Sequence, residues 1–316
     1  MEIEDALIDL SNKLFDVEHA LLMHANSFVV LPAAGIYEHE VLKQFEEVTK
    51  KCHIYLIGQS PKIVIDAISQ KGRNVVVSIT AGDVALEIAS SMPEGARLVN
   101  DDGNFYLEDE AGRKYAPNDL DVGLAVKRKT PINFEVLYIG QAYGEGGSRN
   151  SIDRLLKHET LQRIALQGTP VDKVLNILLL EISPSNGMYT LFNPRAIHKD
   201  EDGGRISAGL EKLRNTSEKE RVALFEASLI RYFQPKYNKE FKNSFPSTTM
   251  KVLKDCYEKD FSAIVAEINF DELPWDLMSS VVAPQRAHIV KHNLHTAAER
   301  SLFFLSGKPF DRGSAA

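Results

Sequence analysis

The sequence predicts a mixed α/β protein, on two observations. Short apolar runs rich in β-branched residues alternate with segments whose apolar residues recur every three or four positions, as expected for strands alternating with amphipathic helices. The composition, with 44% hydrophobic and 26% charged residues among 316, is that of an ordinary globular protein. A chain of this length buries a sizeable core without disulfides or structural metals. We therefore expect an α/β or α+β fold with more than one domain.

The first 119 residues are predicted to form an N-terminal α/β domain of unknown role. Apolar residues from Leu7 to Leu21 recur every three or four positions, which predicts a helix over residues 5–25. The polar turn residues at 101–104 predict a hairpin. The other predictions here are strands over 27–31, 53–57 and 74–80, and helices over 38–51, 61–70 and 84–91.

Residues 120–245 are predicted to form a central domain, and residues 246–316 a C-terminal segment that packs on the other two. Ser217 and Glu220 have the spacing of a capping box at the start of a helix. In the central domain we predict strands over 120–126, 134–141 and 174–182 and helices over 151–167 and 218–233. In the C-terminal segment we predict a strand over 262–270 and a helix over 285–302.

Charge is distributed unevenly along the chain. Residues 126–245 contain 19 Lys and Arg against 14 Asp and Glu, a balance of +5, which leaves −12 for the rest of a chain whose net charge is −7. A basic region within an acidic chain indicates a surface that faces a polyanion such as nucleic acid. Chance variation between solvated faces is an alternative explanation.

Cysteine usage and hydropathy indicate the compartment. Cys52 and Cys256 form no C-x-x-C pair, so neither a zinc knuckle nor a disulfide framework is expected. The first five residues are acidic, unlike a secretory signal, and no apolar stretch approaches the roughly 20 residues of a membrane span. We therefore expect a cytoplasmic protein without a membrane partner.

Two side chains of the predicted helix 151–167 form a candidate phosphate-binding pair. Arg154 and His158 are four residues apart and would share one helix face. Arginine offers a forked donor to phosphate oxygens, and histidine offers a proton that can be gained or lost near neutral pH. A solvated helix face is the alternative interpretation.

Glu226 is a candidate metal ligand on the predicted helix 218–233. It lies four residues from both Val222 and Ile230, which places its carboxylate along the apolar stripe. An unpaired buried carboxylate is costly, so we expect Glu226 to bind a metal ion or to pair with an arginine.

Tyr138-Ile139-Gly140, on a predicted strand, resembles the second signature of the GIY-YIG nucleases. Arg154 and His158 follow on the next helix with the spacing of that family. After an apolar strand come Phe225-Glu226-Ala227-Ser228-Leu229-Ile230 and Gln234-Pro235-Lys236-Tyr237-Asn238, which are similar to the end of the family's module. The resemblance covers residues 120–245, about 125 of the 316.

The first signature of the family belongs on the strand that precedes Tyr138. Gly123-Leu124-Ala125 has its glycine there but lacks the tyrosine. Gly35-Ile36-Tyr37 has the literal sequence, but lies too far upstream to share a hairpin with Tyr138. We interpret that triplet as a coincidence.

The resemblance implies a small mixed or antiparallel sheet flanked by helices and a metal-dependent endonuclease that hydrolyses phosphodiester bonds, with DNA as the expected substrate. It implies that Glu226 holds Mg²⁺ or Mn²⁺ and that Arg154 binds the scissile phosphate. Tyr138, or Tyr143 in its place, would orient or deprotonate the attacking water together with His158. Asn238 would position the surroundings of the metal or the backbone.

Two other functions stay open. The missing first tyrosine favours a catalytically inactive protein of the same fold that binds nucleic acid or has a regulatory role. The net acidity of the chain favours a protein-interaction scaffold. The acidic flanking parts would bind a regulatory ligand or a protein partner, in a restriction, repair or defence role, and an oligomer is compatible with either. These roles rest on analogy with the family.

Overall fold

A computed structural model describes residues 15–101, 104–116, 118–143, 151–183, 187–246, 250–259 and 261–295. Its strands are β1 (Val17–Pro32), β2 (Cys52–Pro61), β3 (Ile63–Lys71), β4 (Asn74–Ala81), β5 (Val84–Ser91), β6 (Arg97–Asp101), β7 (Asn104–Glu108), β8 (Lys114–Tyr115), β9 (Asn133–Gln141), β10 (Lys173–Ile182), β11 (Gly187–Phe192), β12 (Ala263–Asn269), β13 (Asp276–Met278) and β14 (Ala287–Asn293). Its α-helices are α1 (His39–Gln44), α2 (Glu46–Thr49), α3 (Asp119–Lys127), α4 (Ser151–Leu155), α5 (Glu159–Leu166), α6 (Gly204–Asn215), α7 (Glu218–Phe233) and α8 (Lys251–Glu258).

One mixed sheet of eight strands dominates the fold. Its order is β13-β9-β2-β10-β1-β12-β14, and β11 pairs with the first half of β1. The β1–β12 and β13–β9 pairs are parallel, and the other pairs are antiparallel. Leu277 of β13 and Gln285, just before β14, exchange backbone hydrogen bonds of 3.1 and 3.2 Å. The two ends of the sheet therefore meet, and it is nearly closed into a barrel.

The central strand β2 is buried on both faces of the sheet. Ile54 and Leu56 belong to one apolar core, whereas Tyr55 and Ile57 belong to the core on the opposite face. Alternate residues of a strand point to opposite faces, so a strand covered on both sides is apolar throughout. The near-continuous apolar sequence of β2 follows from this position.

Helix α7 packs against the sheet and begins at the predicted capping box. The Ser217 side chain accepts the backbone N–H of Glu220, and the Glu220 carboxylate accepts the backbone N–H of Ser217. The apolar stripe of the helix is buried in the core, as the periodicity predicts: Val222, Phe225, Leu229, Ile230 and Phe233.

The chain between β2 and β9 forms an insertion. β3, β4 and β5 make a separate three-stranded sheet, and β6, β7 and β8 make another. Val75, Ile79 and Ala81 of β4 are buried, and Ile79 and Ala81 join the main core. β2 and β9 are therefore neighbours in the large sheet, although the insertion separates them in the sequence.

Several sequence predictions of local structure are wrong. The segments 61–70 and 84–91, predicted to be helices, form strands β3 and β5. The helix predicted over 285–302 is also wrong, because its described part contains strand β14. The helix predicted over 5–25 is strand from Val17 onward, and residues 5–14 lie outside the described part. In each case pairing with a neighbouring strand overrides a weak local pattern.

The strand predicted over 120–126 is also wrong, because these residues form helix α3. The Asn118 side chain accepts the backbone N–H of Asp121 at 2.9 Å and caps the helix. Asp119 and Asp121 add negative charge to the first turn, which stabilises a helix N-terminus. Gly123 is therefore helical and cannot share a hairpin with Tyr138.

The mixed α/β class is confirmed. The large sheet takes strands from each of the three predicted segments, because β1 and β2 precede residue 119, β9 to β11 lie within 120–245, and β12 to β14 follow. The predicted domain boundary at 119/120 thus lies, along the sequence, between β2 and β9, which belong to the same sheet. In the described residues, no helix combines the length and the apolarity needed to cross a membrane.

Candidate active site

Tyr55 and Tyr138 lie side by side on neighbouring strands. In the antiparallel β2–β9 pair, Tyr55 is opposite Gly140 and Ile57 is opposite Tyr138. The two phenol rings stack with centroids 6.2 Å apart. A tyrosine that precedes the insertion thereby comes to lie next to the tyrosine predicted as catalytic.

Gly140 makes this pairing of rings possible. A Cβ atom at position 140 would lie 2.5 Å from both Cζ and the hydroxyl oxygen of Tyr55, and 2.9 Å from Cε1 of Tyr138. Such distances are far inside van der Waals contact. A residue larger than glycine at position 140 would therefore force the Tyr55 ring or its surroundings to shift.

His158 completes an aromatic cluster with the two tyrosines. Its ring centroid lies 5.5 Å from that of Tyr55 and 4.9 Å from that of Tyr138, and the side chain is only 6% exposed. Burial first, and then the charge of Arg154, lower the pKa of His158 to about 4. The imidazole is therefore neutral at pH 7.

The hydrogen bond of His158 determines its tautomer. Nδ1 accepts the backbone N–H of Leu161 at 3.1 Å, so His158 is the N-cap of α5. In a neutral imidazole whose Nδ1 accepts, the proton lies on Nε2. His158 can donate a hydrogen bond in the site, but it has no free lone pair with which to deprotonate water.

The helix predicted over 151–167 is two helices, α4 and α5, and His158 caps the second. The N–H of His158 bonds to the carbonyl of Leu155 at 3.1 Å rather than to that of Arg154, which ends the first helix. Arg154 is exposed and His158 is buried. The two residues therefore do not share the helix face that their spacing predicts, although both are close to Tyr55.

Arg154 links the tyrosine pair to Glu226 electrostatically. Burial raises the pKa of Tyr55, the nearby Tyr138 adds to the rise, and a hydrogen bond and the charge of Arg154 oppose it. Burial, followed by the charge of Glu226, raises the pKa of Tyr138, and Arg154 again opposes it. Both phenols are therefore protonated at neutral pH, beside a guanidinium that favours their ionised form.

Glu226 lies on α7, close to the end of β9. Burial raises its pKa to about 7, hydrogen bonds from the backbone and side chain of Gln141 oppose the rise, and the nearby Glu240 carboxylate adds to it. Among the described residues, no basic group lies within ion-pair distance of Glu226. Its carboxylate is therefore held by the donors of Gln141, and the charge of Arg154 also favours its ionised form, although the two residues form no close ion pair.

Asn238 holds the outer edge of β9. Its Oδ1 accepts the backbone N–H of Ile139 at 2.9 Å, and its Nδ2 donates to the carbonyl of Ile139 at 2.8 Å. The backbone N–H of Tyr237 also donates to the carbonyl of Leu137 at 3.0 Å. Of its two expected roles, Asn238 thus has the contacts for positioning the backbone, on both sides of Tyr138.

Tyr143, the alternative to Tyr138, lies apart from the aromatic cluster. Its hydroxyl donates to Glu218 at 3.0 Å, and its ring packs edge-on against His53. The ring lines a pocket of about 250 Å³, whose other described lining residues include Arg154 and Lys219. The glycine-rich sequence at 144–147, which follows Tyr143, lies outside the described residues.

The carboxylates near the candidate site could supply part of the ligand set of a Mg²⁺ or Mn²⁺ ion. The described residues contain no group of three or more His, Cys, Asp or Glu side chains that could hold a metal. Mg²⁺ keeps several waters and commonly binds through one or two carboxylates plus phosphate oxygens of a substrate. Glu226, with Glu240 nearby, fits such a site, whose remaining ligands are water and substrate.

Sequence reasoning missed Tyr55 and Gln141. The strand predicted over 53–57 contains Tyr55, but nothing local indicates which strand it pairs with. Gln141 directly follows the Tyr138-Ile139-Gly140 triplet, and its contact with Glu226 depends on the packing of α7. In comparisons with protein-family models, curated proteins and solved structures, none matches this chain.

Proposed function

We propose that this protein is a divalent-metal-dependent endonuclease of the GIY-YIG type that hydrolyses phosphodiester bonds in DNA. The observation that carries the proposal is the pairing of Tyr55 with Tyr138 on adjacent antiparallel strands, with Arg154, His158 and Glu226 around them. His53-Ile54-Tyr55 differs from the first signature only at its first residue. The tyrosine missing before β9 in sequence is supplied by β2.

The surrounding elements support the same proposal. β9, β2 and β10 form an antiparallel group of three neighbouring strands, with α4 and α5 between β9 and β10 in sequence and α7 after them. The order of β9, the helix with Arg154, the apolar strand β10 and the helix with Glu226 resembles that of the GIY-YIG module, and β2 takes the place of its first signature strand in this proposal. If β9, β2 and β10 are the sheet of the nuclease module, the other strands of the large sheet and the insertion are additions to that module.

The phosphate would be bound by Arg154. Arg154 is an exposed residue that lines the pocket of about 250 Å³, and its forked donor fits two non-bridging oxygens of a phosphate. Charge develops on these oxygens as water attacks phosphorus and the bond to the leaving oxygen breaks, so a preorganised cation lowers the barrier. Arg154 therefore has the chemistry and the exposure for this role.

The attacking water would be oriented by the tyrosine pair. Both hydroxyls are protonated in the free protein, so they hold water through hydrogen bonds and do not deprotonate it at the start. Nε2 of His158 carries a proton and is therefore placed to donate to a water held by the same cluster. Asn238 and Gln141 act as positioning residues, since the first holds β9 and the second holds the Glu226 carboxylate.

Glu226 would hold the divalent cation. A bound Mg²⁺ or Mn²⁺ supplies positive charge to the phosphate and the leaving oxygen and lowers the pKa of nearby water. The carboxylate must be ionised to bind a cation, and its pKa of about 7 means that cation binding displaces a proton at neutral pH. We therefore expect cation affinity to rise with pH across neutrality.

Supercoiled plasmid incubated with the full-length protein tests the proposal. We expect nicking with Mg²⁺ or Mn²⁺, none with EDTA, and none from Glu226→Gln. Glu258→Gln, at an exposed glutamate on α8, is the matched control and should cut like the unmodified protein. Equal cutting by Glu226→Gln, or cutting in EDTA, would refute the role of Glu226.

The alternative is a nucleic-acid-binding protein of the same fold without catalysis. It is favoured by the hydrogen bonds from Gln141, which already satisfy the Glu226 carboxylate without a cation. This alternative predicts DNA binding that is insensitive to EDTA and no cleavage with any divalent cation. Binding and nicking measured on the same protein sample therefore separate the two functions.

A further inference from the structure

A cavity of about 250 Å³ lies between the inserted β3-β4-β5 sheet, helix α3 and the large sheet, and the tyrosine cluster contributes nothing to it. Its apolar walls include Ile63 and Ile65 of β3, Val122 of α3 and Trp275. Ile65, which is 42% exposed, also lines this cavity. Clefts where two substructures meet are common ligand sites.

Two buried polar side chains also line this cavity. Ser60 is 2% exposed and Asn176 is 6% exposed, and Nδ2 of Asn176 donates to Oγ of Ser60 at 2.8 Å. This bond uses one donor of the amide and one lone pair of the hydroxyl. It leaves the carbonyl oxygen of Asn176 as an acceptor and the hydroxyl proton of Ser60 as a donor.

No other hydrogen bond from these two side chains is found within the described residues. The carbonyl oxygen of Asn176 is not among the fully buried atoms that lack a partner, so it is accessible from the cavity, where a complementary ligand would replace water as its partner. The complement of an adjacent acceptor and donor is a group that presents an N–H beside a C=O. A cavity of about 150 Å³ is known to hold one benzene ring, so about 250 Å³ accommodates one or two small rings.

We propose that this cavity binds a small neutral heterocycle whose edge carries an N–H beside a C=O, as in a lactam or a free nucleobase. Asn176 accepts from the ligand N–H and Ser60 donates to its carbonyl. The apolar walls disfavour anionic ligands, because a charge transferred there would lose its hydration, and the negative charge of Asp119, which also lines the cavity, adds to this. This site is independent of the proposed nuclease activity.

Trp275 provides a direct readout, because it is the single tryptophan of the chain and lines the cavity. Tryptophan fluorescence is recorded while uracil is added to the full-length protein. The excitation wavelength is longer than those that uracil absorbs. We expect a saturable change below about 10 mM, since a ligand of so few atoms binds weakly. 1,3-Dimethyluracil, which lacks both N–H groups, should bind at least about fivefold more weakly, the scale of one lost hydrogen bond.

Two variants test the assignment of the residues. Ser60→Ala removes the donor with little change of volume and should weaken uracil binding about fivefold. Val122→Phe fills the cavity and should abolish the saturable change, whereas Val84→Phe, at an exposed β5 position outside it, should not. Circular dichroism establishes that each variant is folded.

The possible outcomes separate clearly. Equal affinity for uracil and 1,3-dimethyluracil would refute the hydrogen-bonding edge, and so would unchanged binding by Ser60→Ala. No saturable change with the unmodified protein would refute the site itself. If Val122→Phe is unfolded, the comparison of the two probes and Ser60→Ala still decides the proposal. Plasmid nicking is unaffected by any of these results.

Discussion

Gly140 of β9 faces Tyr55 of β2 so closely that a Cβ atom there would lie 2.5 Å from the phenol hydroxyl. The glycine of the Tyr138-Ile139-Gly140 triplet is therefore required by a residue that lies far upstream in the sequence. The strand register places both tyrosine rings on one face of the sheet, where Tyr138 packs against the core that contains Tyr55.

We expect Gly140→Ala to lower the free energy of unfolding by about 1–3 kcal/mol, the scale of overpacking in a core. In a Tyr55→Ala background the same change should cost less, because the clashing ring is gone. Gly35→Ala is the control, since its added Cβ would meet only Pro32 at an ordinary 3.7 Å. Urea denaturation of the unmodified protein, the two single variants Gly140→Ala and Tyr55→Ala and the double variant measures the coupling energy. Equal costs of Gly140→Ala in both backgrounds would contradict the contact.

Tyr55→Phe should reduce DNA cleavage by about 10²-fold or more, comparable with Tyr138→Phe, because both hydroxyls are expected to orient the attacking water. The melting temperature should change little, since the ring is retained. Tyr189→Phe, at an exposed tyrosine on β11, is the matched control. If Tyr55→Phe retains full turnover while Tyr138→Phe does not, Tyr138 works alone and Tyr55 serves only packing.

Arg154→Lys should lose nearly as much turnover as Arg154→Ala, about 10²-fold, because an ammonium cannot reproduce a forked contact with two phosphate oxygens. Substrate affinity should fall much less than turnover. Arg214→Ala, at an exposed position on α6, controls for general loss of positive charge. Single-turnover rates at saturating DNA give the comparison, and recovery of most of the rate by lysine would limit Arg154 to electrostatic attraction.

The pKa of Glu226 gives a dependence of stability on pH. Its pKa is about 7 in the folded protein and near 4.5 when unfolded, so the folded state holds the proton more tightly. The stabilising effect of this proton is complete below about pH 4.5 and is lost as pH rises to about 7. The total is up to about 3 kcal/mol at 1.4 kcal/mol per pKa unit.

Glu226→Gln should abolish that contribution without changing the others. In EDTA, the free energy of unfolding of the variant relative to the unmodified protein should therefore rise between pH 4.5 and 7 and then level off. Burial also lowers the pKa values of His158, His288 and His292 to about 4, which destabilises both proteins equally below about pH 6.5. A difference that is constant with pH would show that Glu226 ionises normally.

Asn238→Asp should destabilise the protein by about 1–3 kcal/mol, because the donor to the carbonyl of Ile139 is replaced by an oxygen. If Asn238 acts through β9, cleavage should fall together with stability and should recover partly at lower temperature. Asn243→Asp, at an exposed asparagine further along the same loop, is the control. A loss of turnover with unchanged melting temperature would indicate direct contact with substrate or metal.

The secondary structure around the site could be predicted where short-range signals determine it. The capping box of α7 and the apolar run of β10 depend on residues close in sequence, and both elements form as predicted. The single helix predicted over 151–167 failed, because a side-chain cap from His158 competes locally with helix continuation. Periodicity alone contains no information on that competition.

The residues of the candidate site could be predicted only in part. Glu226 is recognisable because it lies on an apolar helix face, whereas Tyr138 is recognisable through the resemblance of Tyr138-Ile139-Gly140 to a family signature. The role of His158 as a proton acceptor does not agree with its hydrogen bond to Leu161, which only the three-dimensional structure contains. The contacts of Asn238 with Ile139 likewise depend on the packing of a loop against the edge of β9.

The mixed α/β class, the course of helix α7 and the candidacy of Glu226 follow from composition and periodicity in the sequence alone. Tyr138 is a candidate through the resemblance of its triplet to the GIY-YIG signature, and the same resemblance supports Arg154. Only the tertiary structure decided that Tyr55 is the neighbour of Tyr138 and that the segment before β9 is helix α3. The physical reason is that strand pairing joins residues far apart in sequence through shared buried faces and backbone hydrogen bonds. A local pattern specifies that a strand forms, whereas the packing of the whole sheet selects its partner.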